Sequence, residues 1–318
     1  MTIIKSLEKI KNIENSVVTI GNFDGIHKGH IQLIKRTVDQ AKKKNFKSVI
    51  FTFENHPMRY FRANSIKNLM TNEDKIEMMK SLGIDIIVMI PFDEYMTKIS
   101  AQDFVKHILF DKLKCRKAIV GHDFKFARKK EADAHMLKKI GEKYNIEVEV
   151  IKPIKIKDIR VSSTYVRELI ETGNVYNVKE FLGRNYTIEG EVIHAKKLGR
   201  TIGFPTANLS IDDNILIPKN GIYAVKVYLG KREFYGATNI GYNPTVNGEG
   251  LSIETNILDF NEDIYGEVIK VEFLERIRDE KKFSSLDELK NQLKQDINFV
   301  NRYSAFEHSI QCLVIGDF

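Results

Sequence analysis

The sequence predicts an α/β domain with a Rossmann-like parallel sheet, followed by an antiparallel β-barrel and a closing helix. Three observations lead there. Apolar strand-like runs alternate with helical runs through the first half. From Tyr186 onward the strand-like runs crowd together, punctuated by glycine and proline, with no helical pattern between them. One well-capped helical pattern then ends the chain. At 318 residues, two domains fit better than one.

In the first half, strand-like runs cover 16–21, 47–53, 85–91, 117–121 and 146–151. Each is short, apolar and rich in β-branched residues. Helical runs lie near 28–44, 72–82, 101–113 and 131–144. In the first of these, Ile31, Ile34, Val38 and Ala41 recur at the spacing of one helix face. A β-α-β-α order implies a parallel sheet with helices on both faces, and such sheets bind ligands beyond the carboxyl ends of their strands. In the second half, runs at 186–194, 222–229, 232–240, 251–259 and 267–274 fit a barrel or sandwich. Ser285-Leu286-Asp287-Glu288 reads as a capping box, with Leu286, Leu289, Leu293, Ile297 and Val300 as the expected buried stripe. The boundary is expected near Leu182-Gly183-Arg184, giving domains 1–182 and 183–318.

Composition narrows the function. No apolar run is long enough to cross a membrane, and the start MTIIKSLEKI has no signal-peptide core, so a cytoplasmic protein is expected. Cys115 and Cys312 share no local motif and read as reduced thiols. The net charge of +7 favours anionic ligands. The lysines are dispersed and no aromatic RNA-recognition motif appears, so nucleic acid is not an expected partner.

The richest segment is GNFDGIHKGH, Gly21 to His30. It joins the first strand to the first helix, where backbone N–H groups and the helix dipole favour a phosphate. Gly21 and Gly25 let the backbone approach a triphosphate, and Gly29 keeps room between His27 and His30. The two imidazoles can donate hydrogen bonds to a phosphate as negative charge grows on it. Asp24 has two readings: it orients an imidazole or a metal-bound water, or it is an Asx-turn residue. Four of the eight histidines, His27, His30, His56 and His122, follow predicted strand ends. Downstream, Ser162, Ser163 and Thr164 precede a helical run and are N-cap residues by default. Arg160 and Arg167 bracket them, and a guanidinium there suits a pyrophosphate leaving group.

The second dense segment is KKLGRTIGFPTANL, Lys196 to Leu209. Gly199 and Gly203 make a backbone-rich loop, Lys197 and Arg200 add charge, and the spacing is not that of a P-loop. It reads as a phosphate cradle or as a glycine-rich barrel turn. Pro205 fixes the chain so that Thr206 and Asn208 face one side as oxygen ligands suited to Mg²⁺. In the strand Leu251–Leu258, alternation places Glu254 with Ser252 and Asn256 on one face and Ile253 and Ile257 on the other. Glu254 is a solvent-facing acid or, opposite a Thr/Asn metal site, a general base.

GNFDGIHKGH, TFENHP, VGHDFKF and VSSTYVR, in this order, resemble the nucleotidyltransferase fold of the FAD synthetase half of bacterial bifunctional riboflavin kinase/FAD synthetases. GRTIGFPTANL, NGIYAV, TNIGYNPTV and IETNILDFNEDIYGEVIKVEF, followed by KFSSLDELKNQLKQDI, resemble the riboflavin kinase barrel. The resemblance implies phosphorylation of riboflavin to FMN, then adenylylation of FMN by ATP to FAD with release of pyrophosphate. Its partners would be ATP, riboflavin, FMN and FAD, with Mg²⁺ accompanying ATP. It implies that Thr206 and Asn208 hold Mg²⁺-ATP and that Glu254 takes the proton of the ribityl 5′-hydroxyl. It also implies nucleotide-binding roles for Asn22, Phe23, His56 and Asp123 within their motifs. Four positions depart from the family pattern: Ala127, Ala132 and Ala195 stand where glycine is usual, and Asn256 where histidine is common. They leave open the alternative that only one activity is retained.

Overall fold

A computed structural model describes residues 1–62, 66–194, 203–245 and 248–315. Lys197, Gly199, Arg200 and the departure Ala195 lie outside them. The chain forms two compact units, Met1–Tyr165 and Val166–Phe318.

The first unit is built on six parallel strands. These are β1 (Thr2–Ile4), β2 (Ser16–Ile20), β3 (Lys47–Phe53), β4 (Ile86–Ile90), β5 (Cys115–Gly121) and β8 (Glu147–Ile151), in the order β1-β4-β3-β2-β5-β8. All five residues of β2, Ser-Val-Val-Thr-Ile, are buried, as a strand covered on both faces requires. Helix α1 (Lys28–Lys44) buries Ile34, Val38 and Ala41. It ends at Asn45, whose φ of 53° breaks the helix. Helices α2 (Pro57–Phe61), α3 (Asn72–Ser81) and α4 (Glu94–Lys98) follow, then α5 (Ala101–Asp103), which runs on as π-helix over Phe104–Lys112. Strands β6 (Lys125–Phe126) and β7 (Ala132–Asp133) form a small hairpin before α6 (Ala134–Glu142). β9 (Lys155–Ile156) and β10 (Ile159–Arg160) form another. Buried Cys115 has its thiol pushed up to about 12 by desolvation, which keeps it inert.

Helix α7 (Ser163–Glu171) crosses the division, and α8 (Val175–Leu182) lies in the second unit. The division falls upstream of Leu182 because α8 buries Val175, Val178, Phe181 and Leu182 and packs on barrel strands. Those strands are β11 (Tyr186–Ile193), β12 (Ala207–Ser210), β13 (Gly221–Leu229), β14 (Arg232–Thr245), β15 (Gly248–Ile257) and β16 (Val268–Arg278). They close in the order β11-β12-β15-β14-β13-β16, with every pairing antiparallel.

The terminal helix α9 (Leu286–Ile315) differs from its expected form in two respects. Ser285 Oγ accepts from the Glu288 N–H, but the Glu288 carboxylate returns to Ser284, accepting from its N–H and its Oγ. The expected stripe is buried only at Val300; Leu286 is 57 % exposed, and Leu289, Leu293 and Ile297 are half-buried. A charged group anchors the helix instead: Asp296, 2 % exposed, takes a bidentate pair from Arg278 at 2.9 and 2.6 Å.

Candidate active sites

The strand order of the first unit reverses between β2 and β5. A crevice opens at such a switch point beyond the carboxyl ends of the strands. Gly21–His30 leaves β2 there and Gly121-His122-Asp123 leaves β5, and residues of both line a cavity of about 480 Å³.

The local chemistry of Gly21–His30 shapes the cavity wall. His27 caps α1: its Nδ1 accepts the His30 N–H at 3.2 Å. That bond places the proton of a neutral His27 on Nε2. The His27 and His30 rings stack with centroids 3.6 Å apart and 13° between planes, and Phe23 meets His30 edge-on at 5.2 Å. Burial, then His27 and Lys75, hold the His30 imidazolium well below the ordinary histidine range, so the ring is neutral at pH 7. His30 Nδ1 is buried without a hydrogen-bond partner. A Cβ on Gly29 would lie 3.1 Å from His27 Cε1, so this glycine makes room for the stacked ring.

Asp24 and Gly25 sit behind the wall. Asp24, 4 % exposed, accepts the Leu69 N–H at 2.9 Å through Oδ1, and its carbonyl accepts from Ser163 Oγ at 2.9 Å. It thus ties the β2 loop to the start of α7. Gly25 has φ +78°, and an added Cβ would lie 2.7 Å from Leu69 Cδ1. Gly21, Asn22, Phe23, Gly29, His56, Asp123, Arg160, Ser162, Ser163 and Thr164 line the cavity. His56 caps α2, accepting the Met58 N–H through Nδ1 at 3.2 Å. Arg160 and Asp123 form an ion pair. Ser162 Oγ accepts the Tyr165 N–H at 3.2 Å, as an N-cap does. Arg167 is half-buried on α7 and belongs to the second unit.

Sequence reasoning missed an aromatic wall. Phe53, Phe92 and Phe124 line the same cavity, with Phe53 and Phe92 edge-to-face at 5.1 Å and Phe124 stacked on Phe126 at 5.3 Å. The signal was present: these phenylalanines stand at or just after the carboxyl ends of β3, β4 and β5. Ala127 also lines the cavity, at φ 63° and ψ −176°. That region is essentially reserved for glycine, so this departure is a strained one. Ala132 is merely buried, paired with Phe126.

The barrel carries a second cavity of about 340 Å³, lined by Pro205, Thr206 and Asn208 among others. Gly203 lies just before it with φ +87°. Asn208 of β12 pairs directly with Glu254 of β15, so the two side chains share a face about 5 Å apart. Glu254 Oε1 accepts from Ser252 Oγ at 2.9 Å. Asn256 Nδ2 donates to the Pro205 carbonyl at 2.7 Å, so this departure holds the segment that bears Thr206. Among the described residues, no cluster of three His, Cys, Asp or Glu is arranged to hold a metal. Oxygen donors such as Thr206 and Asn208 fit an ion whose other ligands are phosphate oxygens and water.

A switch-point cavity lined by stacked histidines and a six-stranded barrel with an acid among polar strand residues match a nucleotide-transferring domain joined to a kinase-type barrel. Comparison with known proteins agrees. The FAD synthetase family model matches residues 9–165, and the riboflavin kinase model matches 182–304. The chain is 37% identical over 308 residues to the bifunctional riboflavin kinase/FMN adenylyltransferase of Buchnera aphidicola subsp. Acyrthosiphon pisum, covering 95% of this chain and 98% of that protein. It is 34% identical over 300 residues to the Escherichia coli K12 protein of the same name, covering 93% and 96%. A solved Streptococcus pneumoniae structure, described as a macrolide-efflux protein, superposes with a TM-score of 0.87 at 32% identity, covering 94% of this chain and 98% of that one. No described helix of this chain is long and apolar enough to cross a membrane. The chain belongs to the bifunctional riboflavin kinase/FMN adenylyltransferase family.

Proposed function

We propose that this chain phosphorylates riboflavin in its barrel and adenylylates FMN at its switch-point cavity, each site using its own ATP. The observation that carries this reading is the pair of separate cavities, one lined by stacked histidines and one by the Thr206/Asn208 pair. Adenylylation is assigned to Met1–Tyr165 and phosphorylation to Val166–Phe318, both in the cytoplasm.

In the barrel, the ribityl 5′-hydroxyl attacks the γ-phosphorus of ATP. Glu254 takes the hydroxyl proton, and ADP leaves. Thr206 and Asn208 would hold Mg²⁺, which when bound would offset phosphate charge. Gly203 and Pro205 shape the segment before them, and Lys197, Gly199 and Arg200 bind the phosphates.

At the switch point, a phosphate oxygen of FMN attacks the α-phosphorus of ATP. Pyrophosphate leaves. No base is required, because the FMN phosphate is already a nucleophile. The Nε2–H of His27 and a neutral His30 donate to the α-phosphate as charge grows there. Arg160, Arg167, Ser162, Ser163 and Thr164 receive the leaving pyrophosphate. The phenylalanine wall offers faces on which an isoalloxazine ring can stack. His56, Asn22 and Asp123 complete the nucleotide site.

The test is chromatography of products from riboflavin, ATP and magnesium. FMN followed by FAD is expected; accumulation of FMN without FAD would overturn the adenylyltransferase assignment.

A further inference from the structure

The register of the barrel places a third polar residue beside the proposed base. Glu254 pairs with Asn208 of β12 on one side and with Asn239 of β14 on the other. Directly paired residues put their side chains on the same face, so Asn208, Glu254 and Asn239 form one row across three strands. Along β14 the same face carries Tyr235 and Ala237, which pack against buried Val300 of the terminal helix. Apolar packing accounts for those two residues. It does not account for Asn239.

Asn239 Oδ1 is buried and has no hydrogen-bond partner. A buried unsatisfied acceptor destabilises the fold unless something brings it a donor. Glu254 cannot serve, because an ionised carboxylate only accepts. Two acceptors therefore stand on adjacent strands, about 4.8 Å apart in the pairing direction. A ligand with two neighbouring hydroxyl donors suits both, and a polyol chain presents them.

We propose that Asn239 Oδ1 accepts a hydrogen bond from the ribityl hydroxyl next to the reacting one, the 4′-hydroxyl, and so positions the 5′-hydroxyl on Glu254. Asn239 is then a substrate-positioning residue that selects for the hydroxylated side chain of the flavin. This rests on the reading of Glu254 as the kinase base. The contact moves no proton and forms no covalent bond.

The experiment compares kcat/KM of the full-length enzyme for riboflavin and for 4′-deoxyriboflavin, in native protein, Asn239→Ala, Asn239→Leu and Asn239→Ser. Leu fills the asparagine volume without an acceptor, which separates packing from hydrogen bonding. Native enzyme should prefer riboflavin by about 10-fold or more, since a site built for a hydroxyl rejects the analogue lacking it. In the Ala and Leu variants the ratio should fall towards one, through lost rate on riboflavin and little change on the analogue. Ser should restore part of the preference. A native-like ratio in the Ala or Leu variant overturns the inference, as does an equal loss on both flavins. Glu254→Gln is assayed alongside. If it retains kinase activity, the base reading itself fails; if it is inactive while Asn239→Ala keeps full preference, only the present inference fails.

Discussion

The two sites are built in opposite ways. The switch-point cavity gathers loops that leave the ends of parallel strands, and its paired histidines come from one such loop: His27 and His30 stand on one turn and stack at 3.6 Å. The barrel site gathers residues by strand register, so Asn208, Glu254 and Asn239 stand in one row although they come from three strands. A loop-built site tunes its groups by burial; a register-built site fixes them by the sheet ladder. The contrast teaches that each site should fail separately, and substitutions can break it or sharpen it.

The largest expected effect is Glu254→Gln. Loss of a general base should slow FMN formation by about 10²- to 10⁴-fold. Supplied FMN should still become FAD at the native rate, measured by chromatography. His30→Ala is the mirror experiment. Removing one donor to the growing phosphate charge should cost adenylylation on the order of 10²- to 10³-fold, by analogy with an oxyanion-hole donor. Riboflavin should still become FMN. Either substitution abolishing both activities in a folded protein would break the separation.

Gly25→Ala tests the loop behind the histidines. Its φ of +78° and the 2.7 Å approach to Leu69 should destabilise the first unit by about 2–3 kcal/mol, read by denaturant unfolding. Adenylylation should fall and the kinase reaction should not.

A smaller effect follows from His30. An unfolded histidine titrates near about 6.5. In the folded protein, burial, His27 and Lys75 hold His30 well below that value. Above about 6.5 neither state carries the proton, and the contribution to stability is fully present. As pH falls below it, the unfolded chain binds a proton that the folded chain resists, so stability drops. His30→Gln should flatten this part of the stability profile between about pH 5 and 7. An unchanged slope would contradict the burial argument.

The smallest effect is Ala127→Gly. It relieves backbone at φ 63° and ψ −176° but adds freedom to the unfolded chain. A net gain of about 1 kcal/mol is expected, seen as a higher Tm. A lower Tm would mean that the loop is unstrained.

The same contrast explains what was legible in the sequence. Strands β2 to β5 and β8, helix α1 and most of the barrel follow from apolar periodicity. The motif Gly21–His30 was readable because consecutive residues share one turn. Three things were not. β1 is three residues long and defined by its pairing with β4, which no local pattern reveals. β12 is a four-residue strand of Ala-Asn-Leu-Ser that resembled a loop because its neighbours are glycine and proline. The terminal helix was expected to bury a leucine stripe, yet it is held by Arg278–Asp296 and Val300, a choice made by tertiary packing rather than by heptad-like spacing. At the sites, Asn239 escaped notice because its place beside Glu254 depends on register alone. Arg167 came from motif order and still rests on it.

Isotope tracing with the native enzyme tests the central claim most directly. Riboflavin is incubated with magnesium and ATP labelled at the γ- or the α-phosphate, and the label in isolated FMN and FAD is counted. Two separate sites that cut ATP at different phosphorus atoms require γ-label in FMN and both labels in FAD, with His30→Ala leaving γ-labelled FMN and slowing entry of α-label into flavin by about 10²- to 10³-fold. Unlabelled FMN from γ-labelled ATP, or α-label entering flavin undiminished in His30→Ala, would contradict the account.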